Sequence, residues 1–198
     1  RGGVTTVETC AIALAMAGGR PEYLPVLVAA VEACLDPDAL FDQLQATSGG
    51  PFPVVIVNGP IAKDIRLNSG FGCLGPDPQR PAGASIGRAL RLLQQNVGGA
   101  LPGVGTMAIF GAMRYTNAVF AEDEASLPEG WLPHGTQRHG FAPGTNSVSV
   151  LFASGVTNIR RRGAKKETPE EDITQGLHRM ADFMRTPNFA ALAGWEKG

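Results

Sequence analysis

The sequence predicts an α/β fold in which helices pack on a mixed sheet around a single, loop-rich core. Segments with helical periodicity alternate with short strand-like runs. The run Pro53–Val57 is apolar at every position, which is typical of a central strand covered by helices. Glycine and proline, 26 and 15 of 198 residues, lie in loops between the apolar segments. We therefore expect residues 1–198 to form one α/β domain that belongs to a longer chain or a hetero-oligomer.

The N-terminal part of the chain is predicted to be helical. Thr5 and Glu8 have the spacing of a capping box ahead of an Ala-rich run that ends at the glycines of positions 18–19. A second helix is expected to begin at Pro21, a favourable first-turn residue. Its apolar face comprises Leu24, Leu27, Val28, Val31 and Leu35. A short third helix is expected to end near Gln45.

After the central strand, a long Gly- and Pro-rich loop is predicted over residues 58–84, and loops of this length are usually functional or disordered. A helix over 85–96 follows, with Arg88 and Arg91 beside its apolar face. Further strands are expected over 106–110 or 115–120, and over 147–152. A basic turn at 160–166 then precedes two helices over 169–184 and 187–195.

Composition excludes several classes of protein. The net charge of -1 argues against binding to a nucleic-acid backbone. No apolar run approaches the length of a membrane span, and no signal peptide is visible, so no membrane partner is expected. The three cysteines are too widely spaced for a disulfide framework or a CxxC motif, which favours a cytoplasmic protein. Only 18% of residues are charged, which suggests that surface is buried in a homo- or hetero-oligomer.

The first candidate site is the small-residue loop at 68–76, which includes Cys73. Its glycines would let the backbone approach a small-molecule substrate, and the helix start near Ser85 would offer free N–H groups. Cys73 could act there as a nucleophile or redox thiol, or could simply fill space in a structural loop. The predicted substrate contacts are Asn58, Asn68, Ser69, Gly70, Gly72, Ser85 and Arg88. The glycine spacing matches neither a Walker A nor a Rossmann motif, so nucleotide binding is not predicted.

The second candidate site combines Glu122 and Glu124 with His134 and His139. In an extended segment, carboxylates two residues apart lie on one face, where a nearby imidazole could support acid–base catalysis or metal binding. A solvated acidic loop is the alternative interpretation. No His-Glu-x-x-His motif is present, so we assign no metal ligands and leave the cofactor unknown.

Several motifs resemble the UGSC family of (seleno)proteins. They are VNGP at 57–60, LNSGFGCLGP at 67–76 and ASIGRALRL at 84–92, with MAGGRPEYLPV at 16–26 and FAEDE at 120–124. The resemblance spans about residues 1–155 and departs at 77–83, where the family has a compact Gly-aromatic-Arg-Ala-Asn stretch. Longer members carry an N-terminal Sec/Cys-Gly-Ser-Cys motif, which implies a thiol or selenol redox pair and is absent here. The resemblance points to the loop around Cys73 and to the Glu122/Glu124 segment with Trp131 and His134.

Together these features predict an enzyme domain or subunit that acts on a small polar or anionic substrate. The loop around Cys73 would hold the substrate, Glu122, Glu124 and His134 would move protons, and a CxxC-type segment or subunit would be the redox partner. Two alternatives remain open. The chain could be a non-catalytic substrate-binding or scaffold subunit of a hetero-oligomer. It could also be a non-redox lyase or hydrolase that uses Glu122, Glu124 and His134.

Overall fold

The structure, a computed structural model, describes residues 3–75, 77–108, 115–156 and 169–186. These residues form seven α-helices and a three-stranded mixed sheet, so the predicted α/β fold is confirmed. The helices are α1 (Val7–Met16), α2 (Leu24–Cys34), α3 (Phe41–Ala46), α4 (Ile61–Asp64), α5 (Ala82–Asn96), α6 (His134–His139) and α7 (Pro169–Met184). The strands are β1 (Phe52–Asn58), β2 (Ala118–Ala121) and β3 (Ser147–Ala153).

The chain divides into two compact units, Arg1–Gly155 and Val156–Gly198. The first unit holds the sheet and α1 to α6. In the second unit the structure describes α7, whose bounds agree with the predicted helix. The predicted basic turn at 160–166 and the helix over 187–195 lie outside the described residues, and His178 is exposed on α7.

Strand β1 lies at the centre of the sheet, with β2 parallel on one side and β3 antiparallel on the other. The central position explains why every residue of β1 except Ile56 and Asn58 is both apolar and buried. Helices α2 and α5 cover one face of the sheet and α1 packs against both of them, and the main core lies among these helices and the strands. A smaller cluster around Phe52, Val54 and Ala118 lies on the other face.

Helix α5 packs closely against the backbone just before β2, at a position occupied by glycine. A Cβ atom on Gly87 would overlap the carbonyl oxygen of Thr116, just before β2. The Asn117 side chain fastens the same contact by donating from Nδ2 to the Gly87 carbonyl at 3.0 Å. The glycine at position 87 is therefore explained by the packing of α5 against the backbone before β2.

Three local predictions are wrong in detail. The capping residues of α1 are Thr6 and Thr9, one position along from the predicted pair. Leu35 follows the last turn of α2 and is 57% exposed, because the helix has ended before the periodicity does. Arg91 was expected beside the apolar face of α5, but it is only 8% exposed and donates to the Ala100 carbonyl. Burial and the nearby Arg88 charge lower the pKa of Arg91.

Candidate functional site

The candidate site lies at the carboxyl ends of the two parallel strands. Val57 of β1 is paired with Ala121 of β2, so Asn58 and Glu122 follow at the same edge of the sheet. The main-chain N–H of Glu122 donates to the Val57 carbonyl at 3.1 Å, which continues the ladder one residue beyond β2. In α/β sheets, ligands bind in the crevice outside this edge, where polar residues replace the apolar strand residues.

A single amide nitrogen holds both carboxylates of the second predicted site. The side chain of Asn58 is 2% exposed, and its Nδ2 donates to Glu122 Oε2 at 2.6 Å and to Glu124 Oε1 at 2.9 Å. The chemistry fixes the orientation of the amide, because its oxygen could not donate to either carboxylate. Asn58 therefore positions both glutamates.

Each carboxylate also accepts one main-chain hydrogen bond. The His134 N–H donates to Glu122 Oε2 at 2.7 Å, and the Gly59 N–H donates to Glu124 Oε1 at 2.7 Å. Hydrogen bonds to an ionised acceptor are about twice as strong as neutral ones. Both glutamates are half-buried, and neither forms an ion pair with a described residue. The site therefore carries negative charge with no cation beside it in the described residues.

The turn after β1 depends on glycine. Gly59 has φ +87°, and a Cβ atom there would lie 2.7 Å from Asn146 Oδ1. The next segment is fastened to the same loop, because the Ile61 N–H donates to Asn146 Oδ1 at 2.9 Å. After β2, a 3-10 helix over Glu124–Ser126 turns Glu124 back toward Asn58. The two glutamates thus meet through a turn, and not along one extended segment as predicted.

The structure brings His134 to the site through its main chain. Its imidazole packs edge-on against His139, with ring centroids 6.1 Å apart. His139 Nε2 in turn lies 3.1 Å from Ser149 Oγ on β3. A proton-transfer role for the His134 ring stays a prediction.

Sequence reasoning missed the polar face of β3. Ser147 is paired with Asn58, and Ser149 is two residues further along the same face. The signal was present as the alternation of serine with Val148 and Val150, but that alternation equally describes a solvated strand. Only the pairing with Asn58 places these hydroxyls next to the site.

Asn68 organises the Gly-rich loop. Its Nδ2 donates to the Phe71 carbonyl at 2.9 Å and to Asp77 Oδ2 at 3.2 Å. Its Oδ1 accepts from the Gly70 N–H at 2.9 Å and from Arg80 at 2.6 Å. Two of these partners, Asp77 and Arg80, follow the Gly-rich loop in the stretch that leads to α5. Since the amide is fully used within the loop, a substrate contact by Asn68 stays a prediction.

The loop is tied to the end of β2. The Asn68 carbonyl accepts from the Ala121 N–H at 3.0 Å, one residue before Glu122. Ser69 is half-buried, whereas Gly70 and Gly72 are exposed. The loop is therefore bonded to the residue before Glu122, but its predicted substrate contacts lie outside the hydrogen-bond network of Asn58.

Cys73 is half-buried in this loop, and its N–H donates to the Gly70 carbonyl at 3.1 Å. No hydrogen bond links the described atoms of Cys73 to Glu122, Glu124 or His134. The other two thiols, Cys10 and Cys34, are buried in the core. Burial raises the pKa of Cys34 to about 12 and also raises the pKa of Cys10. Cys73 is therefore the most accessible of the three thiols.

Ser85 and Arg88 do not reach the carboxylates in the described structure. Helix α5 begins at Ala82, so the Ser85 N–H is already bonded to the Pro81 carbonyl at 2.9 Å and is not a free donor. The guanidinium of Arg88 stacks on the Tyr115 ring, 4.1 Å from its centroid. The expectation of free donors at Ser85 is wrong because the helix starts three residues earlier than predicted.

Comparison of the chain with protein-family models, with curated proteins and with solved structures gives no match. Among the described residues, no group of three or more His, Cys, Asp or Glu side chains is arranged to hold a metal ion. The same part of the chain contains no helix long and apolar enough to span a bilayer.

Proposed function

We propose that the chain is an acid–base enzyme for a small polar substrate, with Glu122 and Glu124 as the proton-transferring groups. The observation that supports this most is the shared amide of Asn58, which holds one oxygen of each carboxylate. The second oxygen of each makes no hydrogen bond to a described residue. Two oriented carboxylates with one available oxygen each can serve as the proton acceptor and the proton donor of general acid–base catalysis.

During the reaction one of the two glutamates would act as the general base and the other as the general acid. One takes a proton from the substrate or from an attacking water, and the other, in its protonated form, gives a proton to the leaving group. The enzyme then returns to its starting state when one proton passes back between the two sites or through water. This sequence fits a lyase or a hydrolase and needs no electron acceptor.

The charge of the site favours a substrate that is neutral or cationic and carries hydrogen-bond donors. The predicted anion-binding groups Ser85 and Arg88 are engaged elsewhere, whereas Glu122 and Glu124 have no described cation beside them. An anionic substrate would meet repulsion at this edge of the sheet. We therefore narrow the substrate class to small alcohols, amides and amines.

A two-stage experiment tests this proposal. Saturation-transfer NMR with the full chain first identifies binders in a panel of small alcohols, amides and amines, and turnover of each binder is then followed by NMR. We expect Glu122→Gln and Glu124→Gln each to lower turnover at least about a hundredfold, the usual worth of a general acid or base. Glu129→Gln, at an exposed loop position, is the matched control. Unchanged turnover in both active-site variants would contradict the proposal.

The role of His134 can be separated from that of its main chain. His134→Ala keeps the N–H that donates to Glu122. A large loss of turnover in this variant would therefore assign a proton-transfer role to the ring. Wild-type turnover would limit His134 to its main-chain hydrogen bond.

Thiol chemistry at Cys73 is the second candidate, because this thiol is half-buried in a loop tied to the residue before Glu122. Cys10 and Cys34 lie in the core, so a redox cycle would need a partner that brings its own Sec/Cys-Gly-Ser-Cys segment. Intact-mass analysis of the native protein and of its co-purifying chains would detect that partner. If Cys73→Ser keeps full turnover and no such partner appears, the thiol mechanism is excluded. If Glu122→Gln and Glu124→Gln also keep wild-type turnover, a non-catalytic substrate-binding or scaffold subunit is the remaining interpretation.

A further inference from the structure

A separate cleft is lined in part by the stretch that follows the Gly-rich loop, at Pro78, Gln79 and Pro81. It has a volume of about 320 Å³, which falls in the range of small-ligand sites. Four charged side chains line it, Arg20 and Glu22 from the turn before α2 and Asp64 and Arg66 from the end of α4. Neither Glu122 nor Glu124 contributes to it.

The charges in the cleft are not neutralised within the described structure. Arg20, Glu22, Asp64 and Arg66 are exposed and form no side-chain hydrogen bond or ion pair with a described residue. Two guanidinium groups and two carboxylates therefore face one concave space, with no net charge among them. Such a set matches a ligand that itself carries both signs of charge.

Tyr23 lines the cleft and is only 3% exposed as a whole residue. Its hydroxyl makes no hydrogen bond to a described residue, and it is not one of the fully buried polar atoms that lack a partner, so it is open to solvent. A ligand in the cleft would take the place of water at this hydroxyl.

Arg66 occupies a backbone position that favours glycine. Helix α4 ends in a Schellman motif, in which the Leu67 N–H donates to the Ala62 carbonyl at 2.8 Å and the Arg66 N–H donates to the Lys63 carbonyl at 3.0 Å. Arg66 has φ +54°, a left-handed conformation that costs a non-glycine residue stability. An arginine at this position is therefore not explained by the stability of the turn.

We propose that this cleft binds a small zwitterion of the α-amino-acid class. The ligand carboxylate lies against Arg20 and Arg66, and its ammonium group lies against Glu22 and Asp64. The Tyr23 hydroxyl bonds to the ligand at the floor. This inference is independent of the function proposed for Glu122 and Glu124.

Calorimetric and NMR titrations of the full chain test the proposal with three sets of probes. The first set is a panel of free amino acids, the second contains matched carboxylates without the amino group, and the third contains matched amines without the carboxylate. We expect an amino acid to bind at least about tenfold more tightly than either of its truncated analogues, since each lost charge-assisted contact weakens binding. Absence of binding by every amino acid would overturn the proposal. Equal binding of a truncated analogue would overturn it as well.

Arg66→Gly separates a ligand-binding role from a structural one. We expect this variant to raise the unfolding temperature, because glycine adopts the left-handed conformation without strain, and to weaken amino-acid binding at least about tenfold. Arg20→Gln is expected to weaken binding by a similar factor without changing the turn. Lys63→Gln, on the same helix but not in the cleft, is the matched control and should bind as the wild type does. Wild-type affinity in both arginine variants would overturn the assignment.

Discussion

Replacing Asn58 with aspartate tests the central claim about the site, that one amide nitrogen compensates two carboxylates. The change removes both side-chain donors and adds a third carboxylate at a position that is 2% exposed. A hydrogen bond to a charged group contributes about 1.5–3 kcal/mol. The loss per hydrogen bond should fall at or below the lower end of this range, because both glutamates are half-buried and each keeps a main-chain donor. We therefore expect Asn58→Asp to lower the free energy of unfolding by about 3 kcal/mol at pH 7, and Asn58→Ala to lower it by about 2 kcal/mol.

The pH dependence distinguishes charge repulsion from a packing defect. In acid, protonation of one of the three crowded carboxyl groups removes a negative charge and supplies a donor to its neighbours, so the penalty of Asn58→Asp should shrink. Urea unfolding followed by circular dichroism at pH 7 and at about pH 4.5 measures both values. Asn96→Asp, at an exposed position at the end of α5, is the control and should cost less than about 1 kcal/mol. A penalty for Asn58→Asp below about 0.5 kcal/mol at pH 7, or one that does not change with pH, would refute the reasoning.

Other consequences can be measured in the same way. We expect Gly87→Ala to lower the free energy of unfolding by about 3 kcal/mol or more, because its Cβ would overlap the Thr116 carbonyl, whereas Gly155→Ala, in open space, should have little effect. Burial raises the pKa of Cys34 from about 9 to about 12, so the unfolded chain loses this proton first and stability should fall as pH rises through that range. The slope reaches about 1.4 kcal/mol per pH unit, and Cys34→Ala should flatten it in urea titrations. A thiol reagent near neutral pH should label Cys73 in the folded chain and Cys34 only after unfolding; labelling of both at equal rates would contradict the burial described here.

The sequence by itself determined the elements whose signals are local. The apolar run of β1 predicts a central strand, and β1 indeed has a neighbour on each side. The periodic residues of α5 and α7 predict those helices, although Pro81 and Ala82 begin α5 earlier than the pattern suggests. The choice between two adjacent threonines at the start of α1 was missed, because both can cap a helix and only the backbone conformation selects Thr6. Periodicity and capping act within a few residues of the chain, so a sequence carries them without knowledge of the fold.

Only the tertiary structure decided which polar residues meet. Glu122 and Glu124 are 64 and 66 positions from Asn58, and they reach it because β1 and β2 pair in parallel with Val57 opposite Ala121. A shift of one residue in that pairing would turn the side chains at this edge to the opposite face of the sheet. Arg20 and Arg66 likewise share a cleft only because the fold brings the turn before α2 next to the end of α4. These contacts depend on strand register and helix packing, which are set by the burial of the whole core and not by any local pattern of residues.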